Sequence, residues 1–495
     1  MPQERSFWHL VCDAAARAPE RVVLADDYGR TLTTAGLRDA AERVAAGLPV
    51  RLGMVVSWQL PTTLEACVLM CALARLGAVQ NPVIPVLRER EVALITKAVG
   101  TGLFITASNW RGFGHAEMGR GLGLDVIAVE QEAGRDGPLR LPSGDPAALP
   151  APPGPSPQCR WLYFSSGTTA DPKGARHSDA TIIAASNAVT GLQGMHDGDV
   201  YPIVFPVTHI GGIAMLAAVL RAGGRLVMVD TWDPAATPER IAAHQPTILG
   251  SAQPFFRAYL DAQRRHREPL YPRLRCFVAG GAPTPPDMLH DLTESFSIRG
   301  VINSWGLTEF PVATSAAHDD PAGVLAQTVG RPADGVHVRV ADGELRLKGP
   351  QCFLGYVDPA QDAAAFDDEG WFRTGDLGEI GADGNIRITG RLKDVIIRNA
   401  ENISAAEVED ALRRHPGVAD VAVIGLPDQR TGERVCAVAV PEPGHSLTLD
   451  ALSAHCAQHG MAPYKRPTQL EVIDELPRNS MGKILRNELA GRFAR

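Results

Sequence analysis

The sequence predicts an α/β protein: a large N-terminal domain of mainly parallel α/β subdomains with a small β-barrel-like part, followed by a small α+β C-terminal domain. Three observations lead to this prediction. Before residue 330, alanine-rich helical patterns alternate with short apolar runs, which is typical of β-α units. After residue 330, short apolar alternations carry frequent Gly and Asp. Beyond Lys393, helical and strand-like patterns mix over roughly 100 residues, a normal domain size.

The first elements follow from periodicity. Alanine-rich patterns predict helices at 37–48 and 63–76, and short apolar runs predict strands at 53–58 and 103–107. This alternation favours a parallel sheet. Residues 134–158 are rich in Pro and Gly, and we interpret them as a surface loop or linker.

A predicted strand at 159–164 leads into the stretch "YFSSGTTADPKG" (163–174), and Ser178 is predicted to cap a helix over 181–189. The stretch therefore stands at a strand end, where α/β sheets commonly bind ligands. Further strands are predicted at 201–207, 225–229, 247–250, 274–279 and 300–305.

Asp-Gly pairs at 342–343 and 383–384 predict hairpins, so this region should be antiparallel β. We place the domain boundary between 391 and 392, which gives domains at 1–391 and 392–495. In the second domain the patterns predict helices at 405–414 and 449–458 and strands at 418–425, 433–440 and 469–473.

Composition narrows the classes of function. The chain has 495 residues, a net charge of −8, a pI near 6.0 and no basic run, which argues against a nucleic-acid surface and favours small-molecule chemistry. Apolar stretches at 66–74 and 210–220 end at arginines, short of the ~18 residues of a membrane span. The N-terminus lacks the pattern of a secretory signal, so a soluble, cytoplasmic protein is expected.

The cysteines and lysines carry a smaller signal. The eight cysteines form no C-x-x-C pair, and Cys67 and Cys71 are predicted core residues. Six of the 48 basic residues are lysines, so each marks a position where a compact ammonium on a flexible stem could be wanted.

The stretch at 163–174 is not a Walker A loop, because Lys173 precedes Gly174 instead of following a glycine at the required spacing. Its residue types still suit an anion. The hydroxyls of Ser165, Ser166, Thr168 and Thr169 are donors, and the glycines allow consecutive backbone N–H groups to form a nest.

Seven later stretches join this one in a fixed order: "FPVTHIGG" (205–212), "VAGGAPTPP" (278–286), "SWGLTE" (304–309), "GWFRTGDLG" (370–378), "GRLKDVIIRNAENISAAEVE" (390–409), "APYKRP" (462–467) and "LPRNSMGKILR" (476–486). Together the eight resemble the adenylate-forming superfamily, which includes acyl-CoA synthetases, adenylation domains of nonribosomal peptide synthetases and firefly luciferase. The resemblance implies that a carboxylate attacks the α-phosphate of ATP, releasing pyrophosphate, and that a thiol then displaces AMP.

The resemblance also implies residue roles. Lys483 is the cation that bridges the carboxylate and the α-phosphate, Glu309 with Thr168 holds Mg²⁺, and His209 completes the catalytic set. ATP or AMP is implied to contact Ser165, Ser166, Gly167, Thr168, Thr169, Lys173, Gly281, Ala282, Pro283, Trp305, Gly306, Thr308, Asp376, Arg391 and Lys483. Within that set, Asp376 accepts the ribose hydroxyls, Trp305 packs on adenine, and Lys173 orients pyrophosphate or holds the loop.

The acid pocket is implied at His209, Ile210, Gly211 and Gly281, and Lys393 is the implied hinge that makes the C-terminal domain mobile. The thiol path is implied at Asn399, Ala400 and Glu401. Two departures from the family pattern are Ala170, where many relatives have glycine, and "NAEN" (399–402), where acyl-CoA synthetases often have Gly-Gly-Glu-Asn.

The leading interpretation is an acyl-CoA synthetase for a fatty, alicyclic or aromatic acid, using ATP, Mg²⁺ and coenzyme A. One alternative is a stand-alone adenylating enzyme that passes its acyl group to a phosphopantetheinyl carrier protein or another nucleophile. An alternative of another class is a catalytically silent, nucleotide-binding partner protein.

Overall fold

A computed structural model describes residues 5–130, 137, 139–165, 173–280, 286–398, 401–459, 461–479 and 482–494, with the main chain alone at 165, 253, 286, 287 and 402. The chain divides into two compact units. Unit 1 comprises Met1–His337 and Leu347–Phe372, and unit 2 comprises Val338–Arg346 and Arg373–Arg495. The functional boundary at 391/392 stays a prediction, because a compact unit is defined by packing and not by a hinge.

Unit 1 alternates helices and strands along most of its length, as the sequence predicts. Its elements are α1 (Phe7–Arg17), β1 (Val22–Asp26), β2 (Thr31–Thr33), α2 (Thr34–Gly47), β3 (Val55–Gln59), α3 (Leu64–Leu76), β4 (Val79–Pro82), α4 (Glu89–Val99), β5 (Leu103–Ala107), α5 (His115–Gly121), β6 (Val126–Val129), β7 (Trp161–Ser165), β8 (Lys173–His177), α6 (Asp179–Ala185), α7 (Asn187–Gly191), β9 (Val200–Ile203), α8 (Ile210–Ala222), β10 (Arg225–Met228), α9 (Thr237–Ala242), β11 (Ile248–Ser251), α10 (Gln253–Arg264), β12 (Cys276–Gly280), α11 (Pro286–Phe296), β13 (Val301–Trp305), β14 (Thr314–Ser315), α12 (Ala322–Gln327), β15 (Arg331–Pro332) and α13 (Asp362–Ala365), with short 3₁₀ turns at Pro146–Ala148 and Pro359–Gln361.

Three sheets organise unit 1. Their strand orders are β2-β1-β10-β9, β11-β12-β13-β14-β15 and β6-β5-β3-β4-β7-β8. Within the third sheet, β3 runs parallel to β4 and β5, and β4 runs parallel to β7. The second sheet pairs β11, β12 and β13 in parallel. The predicted mainly parallel α/β class is confirmed.

Helix α3 shows how the sequence sets one of these elements. Thr63 caps it by accepting a hydrogen bond from the Ala66 N–H, and Gly77, with a φ of 66°, ends it in the left-handed conformation that glycine adopts without strain. Cys67 and Cys71 are buried free thiols, as predicted. Burial raises the pKa of Cys67 to about 12, so this thiol packs as a small apolar group.

The hairpin after the linker differs from the sequence expectation. Lys173, predicted to lie in a loop, opens strand β8, which pairs antiparallel with β7 from Trp161↔His177 to Ser165↔Lys173. Ser178 caps the next helix by accepting from Thr181 N–H, as predicted. That helix is shorter than expected, because α6 ends at Ala185 and Ser186 separates it from α7, which begins at Asn187.

Unit 2 contains the remaining elements, apart from the strand-end residues His337, 347–348 and Phe372. They are β16 (His337–Ala341), β17 (Glu344–Lys348), β18 (Phe372–Ile380), β19 (Ile386–Arg391), β20 (Val395–Arg398), β21 (Glu401–Ser404), α14 (Ala405–Leu412), β22 (Val418–Asp428), β23 (Gly432–Pro441), α15 (Leu449–Gln458), β24 (Gln469–Val472) and α16 (Arg486–Phe493), with 3₁₀ turns at Leu392–Asp394 and Pro463–Lys465.

The first sheet of unit 2 corrects the predicted barrel-like part. Its described strands have the open order β16-β17-β18-β19, and they form no closed barrel. Both Asp-Gly signals are confirmed as turns. Asp342 and Gly343, with φ values of 54° and 78°, join β16 to β17, and Gly384, with a φ of 77°, lies in the turn before β19.

The second sheet of unit 2 is buried on both faces. Alternate residues of β22 and β23 enter two separate cores: Val421 and Val423 pack with α14 and α15, whereas Ala422 and Ile424 pack with α16 through Leu489. The period-2 geometry of a strand explains this division. Near-continuous apolar runs in these strands therefore indicate a sheet covered on both sides.

Candidate active site

The nucleotide loop predicted by the sequence falls largely outside the described residues. Ser166, Gly167, Thr168 and Thr169 lie there, as does the departure at Ala170, so their roles stay predictions. The ends of the loop are described: the main chains of Ser165 and Lys173 are partners across β7 and β8.

A segment of unit 1 far along the chain lies beside β8. Leu354 N–H donates to the Arg176 carbonyl oxygen at 2.7 Å, and Arg176 N–H donates to the Gly355 carbonyl oxygen at 3.0 Å. Val357 N–H donates to the Gly174 carbonyl oxygen at 2.7 Å. These main-chain bonds place Tyr356 beside the strand that begins where the loop ends, with Lys173 Nζ 5.3 Å from the centre of its ring.

Glu309 lies in the turn after β13 and is 9% exposed. Its carboxylate Oε1 accepts a hydrogen bond from the Tyr356 hydroxyl at 2.8 Å. Its carbonyl oxygen accepts from Phe353 N–H at 2.9 Å. The preceding carbonyl oxygen, of Thr308, accepts from Nε2 of the buried His177 at 2.9 Å.

The environment of Glu309 fits a cation. In the described ranges its side-chain hydrogen bond comes from the neutral Tyr356 hydroxyl, and no basic side chain there forms an ion pair with it. Those ranges also hold no group of three or more histidine, cysteine or carboxylate side chains suited to a metal. A single carboxylate suits Mg²⁺ whose other ligands are phosphate oxygens and waters.

Burial controls the ionisation of the groups around Glu309. Desolvation, and then the Glu309 charge, raises the pKa of Tyr356. The same two causes, in the same order, raise the pKa of Cys352 to about 12. Desolvation lowers the pKa of His177 to about 4. At neutral pH the tyrosine is therefore a protonated donor and the histidine is neutral.

Trp305 and Gly306 also belong to this turn. Trp305 is the last residue of β13 and is buried, and it pairs with Thr314 of β14. A Cβ at Gly306 would lie 2.4 Å from the Val312 backbone nitrogen, so the turn requires glycine. The predicted contacts of Trp305, Gly306 and Thr308 with the nucleotide stay predictions.

His209 caps helix α8, with Ile210 and Gly211 at the start of that helix. Its Nδ1 accepts a hydrogen bond from the Gly211 N–H at 3.1 Å, so a neutral ring carries its proton on Nε2. The ring of Phe205 meets the imidazole edge-on at a centroid distance of 6.4 Å.

A small cavity in unit 1 opens beside His209 and Ile210. Its lining is mostly apolar, with Val83, Leu87 and Phe164 among the contributors. Thr308 also lines it. The turn that carries Glu309 thus borders the cavity next to the predicted acid-binding residues, whereas Gly281 of that predicted pocket lies outside the described residues.

Two further lining residues were not identified from the sequence. Tyr163 and Thr208 are buried, and within the described part of the chain their hydroxyl oxygens have no hydrogen-bond partner. Buried polar atoms normally have partners, so unpartnered hydroxyls at a cavity indicate a place where a ligand group or water binds. No sequence signal could have found them, because partnering is a tertiary property.

Unit 2 brings together two of its predicted site residues. Asp376 and Arg391 are opposite each other on β18 and β19, and Nε of Arg391 lies 2.7 Å from Oδ1 of Asp376. Asp376 is 2% exposed, so its carboxylate is largely shielded from solvent. Lys393 lies in the 3₁₀ turn that follows β19.

Lys483 lies in a tight turn of unit 2. Its N–H donates to Oδ1 of Asn479 at 3.0 Å, and its carbonyl oxygen accepts from the Asn479 N–H at 2.9 Å. Gly482 supports this turn with a φ of 76°.

The predicted thiol path is described only in part. Glu401 begins β21, opposite Arg398, whereas Asn399 and Ala400 lie outside the described residues. The predicted nucleotide contacts Ala282 and Pro283 also lie outside them.

Helices that could cross a bilayer are not found in the described part of the chain: none there is both long and apolar enough.

Two family models match the chain in order. The model described as AMP-binding enzyme matches residues 11–357, and the model described as AMP-binding enzyme C-terminal domain matches residues 407–483. Both matches fall where the sequence motifs lie.

Individual proteins match over nearly the whole chain. The chain is 30% identical to the medium-chain fatty-acid–CoA ligase of Escherichia coli strain K12, over 97% of this chain and 88% of that protein. It is 32% identical to a Mycobacterium tuberculosis H37Rv protein named salicyl-AMP ligase / salicyl-S-ArCP synthetase, over 97% and 89%. Among solved structures, ATP-bound MatB from Rhodopseudomonas palustris matches with a TM-score of 0.88 at 26% identity, covering 98% of this chain and 99% of that one.

Proposed function

The chain belongs to the family of AMP-binding enzymes and is an acid–thiol ligase of the AMP-forming class, and we propose that it is an acyl-CoA synthetase for an acid with an apolar body. The substrate carboxylate attacks the α-phosphorus of ATP, and the bond to pyrophosphate breaks. The thiol of coenzyme A then attacks the acyl carbon, and AMP leaves with the electron pair of the acyl–oxygen bond.

One observation carries this proposal: the turn from Trp305 to Glu309 borders two different environments. Glu309 presents a carboxylate without a basic partner in the described ranges, and the adjacent Thr308 lines a mostly apolar cavity. A metal–nucleotide and an apolar acid would thus be bound by neighbouring residues of one turn. Proximity of this kind is what a reaction between the two substrates requires.

The charged residues have separate proposed tasks. Lys483 bridges the carboxylate and the α-phosphate, which reduces the repulsion between the two anions as the new bond forms. Asp376, oriented by Arg391, accepts the ribose hydroxyls. Glu309 and Thr168 would hold Mg²⁺, which supplies charge stabilisation on the phosphate oxygens when bound.

The cavity supports the substrate class. Its mostly apolar lining suits an apolar group better than a charged one. The hydroxyls of Tyr163 and Thr208 are available to a single polar substituent. The fatty-acid–CoA ligase similarity supports the same class.

ATP–pyrophosphate exchange tests the first half-reaction. A panel of straight-chain, alicyclic and aromatic acids is offered with MgATP and labelled pyrophosphate. We expect exchange with apolar acids and none with small dicarboxylic acids. Absence of exchange with every acid would contradict the ligase proposal and favour the nucleotide-binding partner protein.

The similarity to the salicyl-S-ArCP synthetase favours a second candidate, an enzyme that loads a carrier protein. The departure at Ala400 concerns the predicted thiol path and supports keeping this candidate. Preformed acyl adenylate is offered to coenzyme A and, separately, to a phosphopantetheinylated carrier protein. Faster thioester formation on coenzyme A is expected, and faster loading of the carrier protein would select the second candidate.

A further inference from the structure

We propose that Tyr356 is a positioning residue: its hydroxyl holds the Glu309 carboxylate in the orientation that binds magnesium–nucleotide. This inference rests on the proposed function, in which Glu309 holds Mg²⁺. Nothing in the sequence motifs assigned a role to Tyr356.

The hydrogen bond between the two residues is built into the fold. Tyr356 is 5% exposed and its hydroxyl reaches Oε1 of Glu309 at 2.8 Å. The Tyr356 N–H donates to Oδ1 of Asp362 at 2.7 Å, and the ring of Phe353 packs edge-on against the tyrosine at 4.8 Å. The tyrosine is therefore fixed at both its main chain and its ring.

The choice of partner matters for the charge of the carboxylate. An arginine or lysine at this distance would neutralise Glu309 and compete with a cation. A tyrosine hydroxyl is a neutral donor, and here it donates to one oxygen of the carboxylate. It therefore orients one oxygen by a hydrogen bond and leaves the negative charge in place for a metal.

The same segment also fixes the backbone of Glu309 and meets the strand that follows the nucleotide loop. Phe353 N–H donates to the Glu309 carbonyl oxygen at 2.9 Å, and Tyr356 itself bridges to Ala175 of β8. Residues 353–357 thus connect Glu309 to the end of the loop at Lys173. A hydrogen bond with a purely structural role would not require this connection between Glu309 and the loop.

Calorimetric titration with ATP, with and without Mg²⁺, tests the inference through binding. Tyr356→Phe removes one oxygen and keeps the ring. We expect the variant to bind metal-free ATP like the unaltered protein, while the gain in ATP affinity from Mg²⁺ falls about tenfold, as for loss of a hydrogen bond to a charged group.

Tyr271→Phe is the matched control. It removes a buried hydroxyl in the same unit that donates to the Pro238 carbonyl oxygen at 2.9 Å and not to Glu309. The control should keep the full Mg²⁺ effect. An equal Mg²⁺ effect in Tyr356→Phe and Tyr271→Phe would overturn the inference and leave the proposed function standing.

A double-variant cycle separates positioning from general stability. If Tyr356 acts through Glu309, then Tyr356→Phe causes no further loss of the Mg²⁺ effect in a Glu309→Gln background. A further loss of similar size would overturn the inference. If Tyr356→Phe does not fold, the double variant, which has no buried carboxylate to satisfy, should fold and behave like Glu309→Gln. Failure of the double variant to fold would overturn the inference by showing a structural role.

The unaltered protein separates this inference from the proposed function. ATP binding that is insensitive to Mg²⁺, combined with pyrophosphate exchange, would overturn the role of Tyr356 alone. ATP binding that is insensitive to Mg²⁺, combined with no pyrophosphate exchange, would overturn both the role of Tyr356 and the proposed function.

Discussion

His177 is a buried imidazole whose protonation would place a charge beside the turn that carries Glu309. Its Nε2 donates to the Thr308 carbonyl oxygen, and its Nδ1 lies 3.0 Å from Thr181 Oγ1. Burial lowers its pKa from 6.5 to about 4. In the unfolded chain the ring binds a proton near pH 6.5, whereas the folded chain resists it until about pH 4.

We therefore predict that acidification destabilises the protein through His177. The stability that depends on a neutral His177 is fully present above pH 6.5 and declines toward pH 4, and the loss amounts to about 3 kcal/mol across that window. His177→Gln should be less stable than the unaltered protein at pH 7.5 but lose less stability on acidification. Urea unfolding at pH 7.5, 6.5 and 5.5 measures this, and equal pH slopes for the two proteins would contradict it.

Thr208, unlike His177, has a buried polar group without a hydrogen-bond partner in the described part of the chain. Leaving such a group unsatisfied costs about 1–3 kcal/mol. Thr208→Val keeps the shape and removes the polar atom, so we predict a higher melting temperature with exchange activity retained toward acids that lack a polar substituent.

Differential scanning fluorimetry and the acid panel together check the Thr208 prediction. Thr106→Val is the matched control, because that buried hydroxyl donates to the Gln59 carbonyl oxygen at 3.1 Å. The control should lower the melting temperature. A lower melting temperature in Thr208→Val would show that the hydroxyl has a bound water or ligand as its partner.

Helix α8 gives His209 a structural task besides its proposed chemical one. The imidazole caps the helix through the Gly211 N–H, and loss of a helix cap costs about 1 kcal/mol. We predict that His209→Ala loses both stability and exchange activity. His209→Asn should recover the cap, and with it stability, but not activity.

Chemical denaturation and pyrophosphate exchange, measured on the same preparations, separate the two tasks of His209. Recovery of activity together with stability in His209→Asn would show that capping is the whole role. An unstable His209→Asn would show instead that asparagine does not reproduce the cap.

The strands and helices show where sequence patterns succeed. Helix α3 was predicted from its alanine-rich pattern and the turn at Asp342 from its Asp-Gly pair, and both signals are local. Strand β8 was missed because "KGARH" has a mixed polar pattern. Its strand conformation comes from pairing with β7 and with residues 354–357, which are distant in sequence.

In the candidate site, too, local signals were predictable and contacts between distant residues were not. Family motifs led to the predictions for Glu309, Asp376 and Lys483, because each lies within a short stretch of characteristic residue types. Tyr356 was not identified, since its significance depends on a hydrogen bond to a residue 47 positions away. The unpartnered hydroxyl of Thr208 could not be predicted for the same reason.

The residues of the proposed reaction are divided between the two compact units. Glu309 and His209 belong to unit 1, whereas Asp376, Arg391 and Lys483 belong to unit 2. Each unit has its own apolar core, so a variant in one need not disturb the fold of the other.

We predict that Lys483→Ala abolishes adenylation but retains thioester formation from supplied acyl adenylate, because the bridging charge is needed when the acid and ATP react. Pyrophosphate exchange and thioester release from synthetic acyl adenylate measure the two steps. Lys465→Ala is the control, since that lysine forms an ion pair with Glu407 at 2.7 Å. Equal loss of both steps in Lys483→Ala would contradict the assigned role.

The hairpin of β22 and β23 has a consequence for how unit 2 finds its fold. Both faces of these strands are apolar, so a slip of one residue would exchange one apolar set for the other instead of burying polar groups. Polarity therefore discriminates weakly between alignments. The turn between the strands defines the register instead. Asp428 Oδ1 accepts from the main-chain N–H groups of Arg430 and Thr431, and Gly432 has a φ of 82°. Correct alignment of this hairpin thus depends on a few turn residues that belong to neither core, and changes there would lower the yield of folded protein without altering either core.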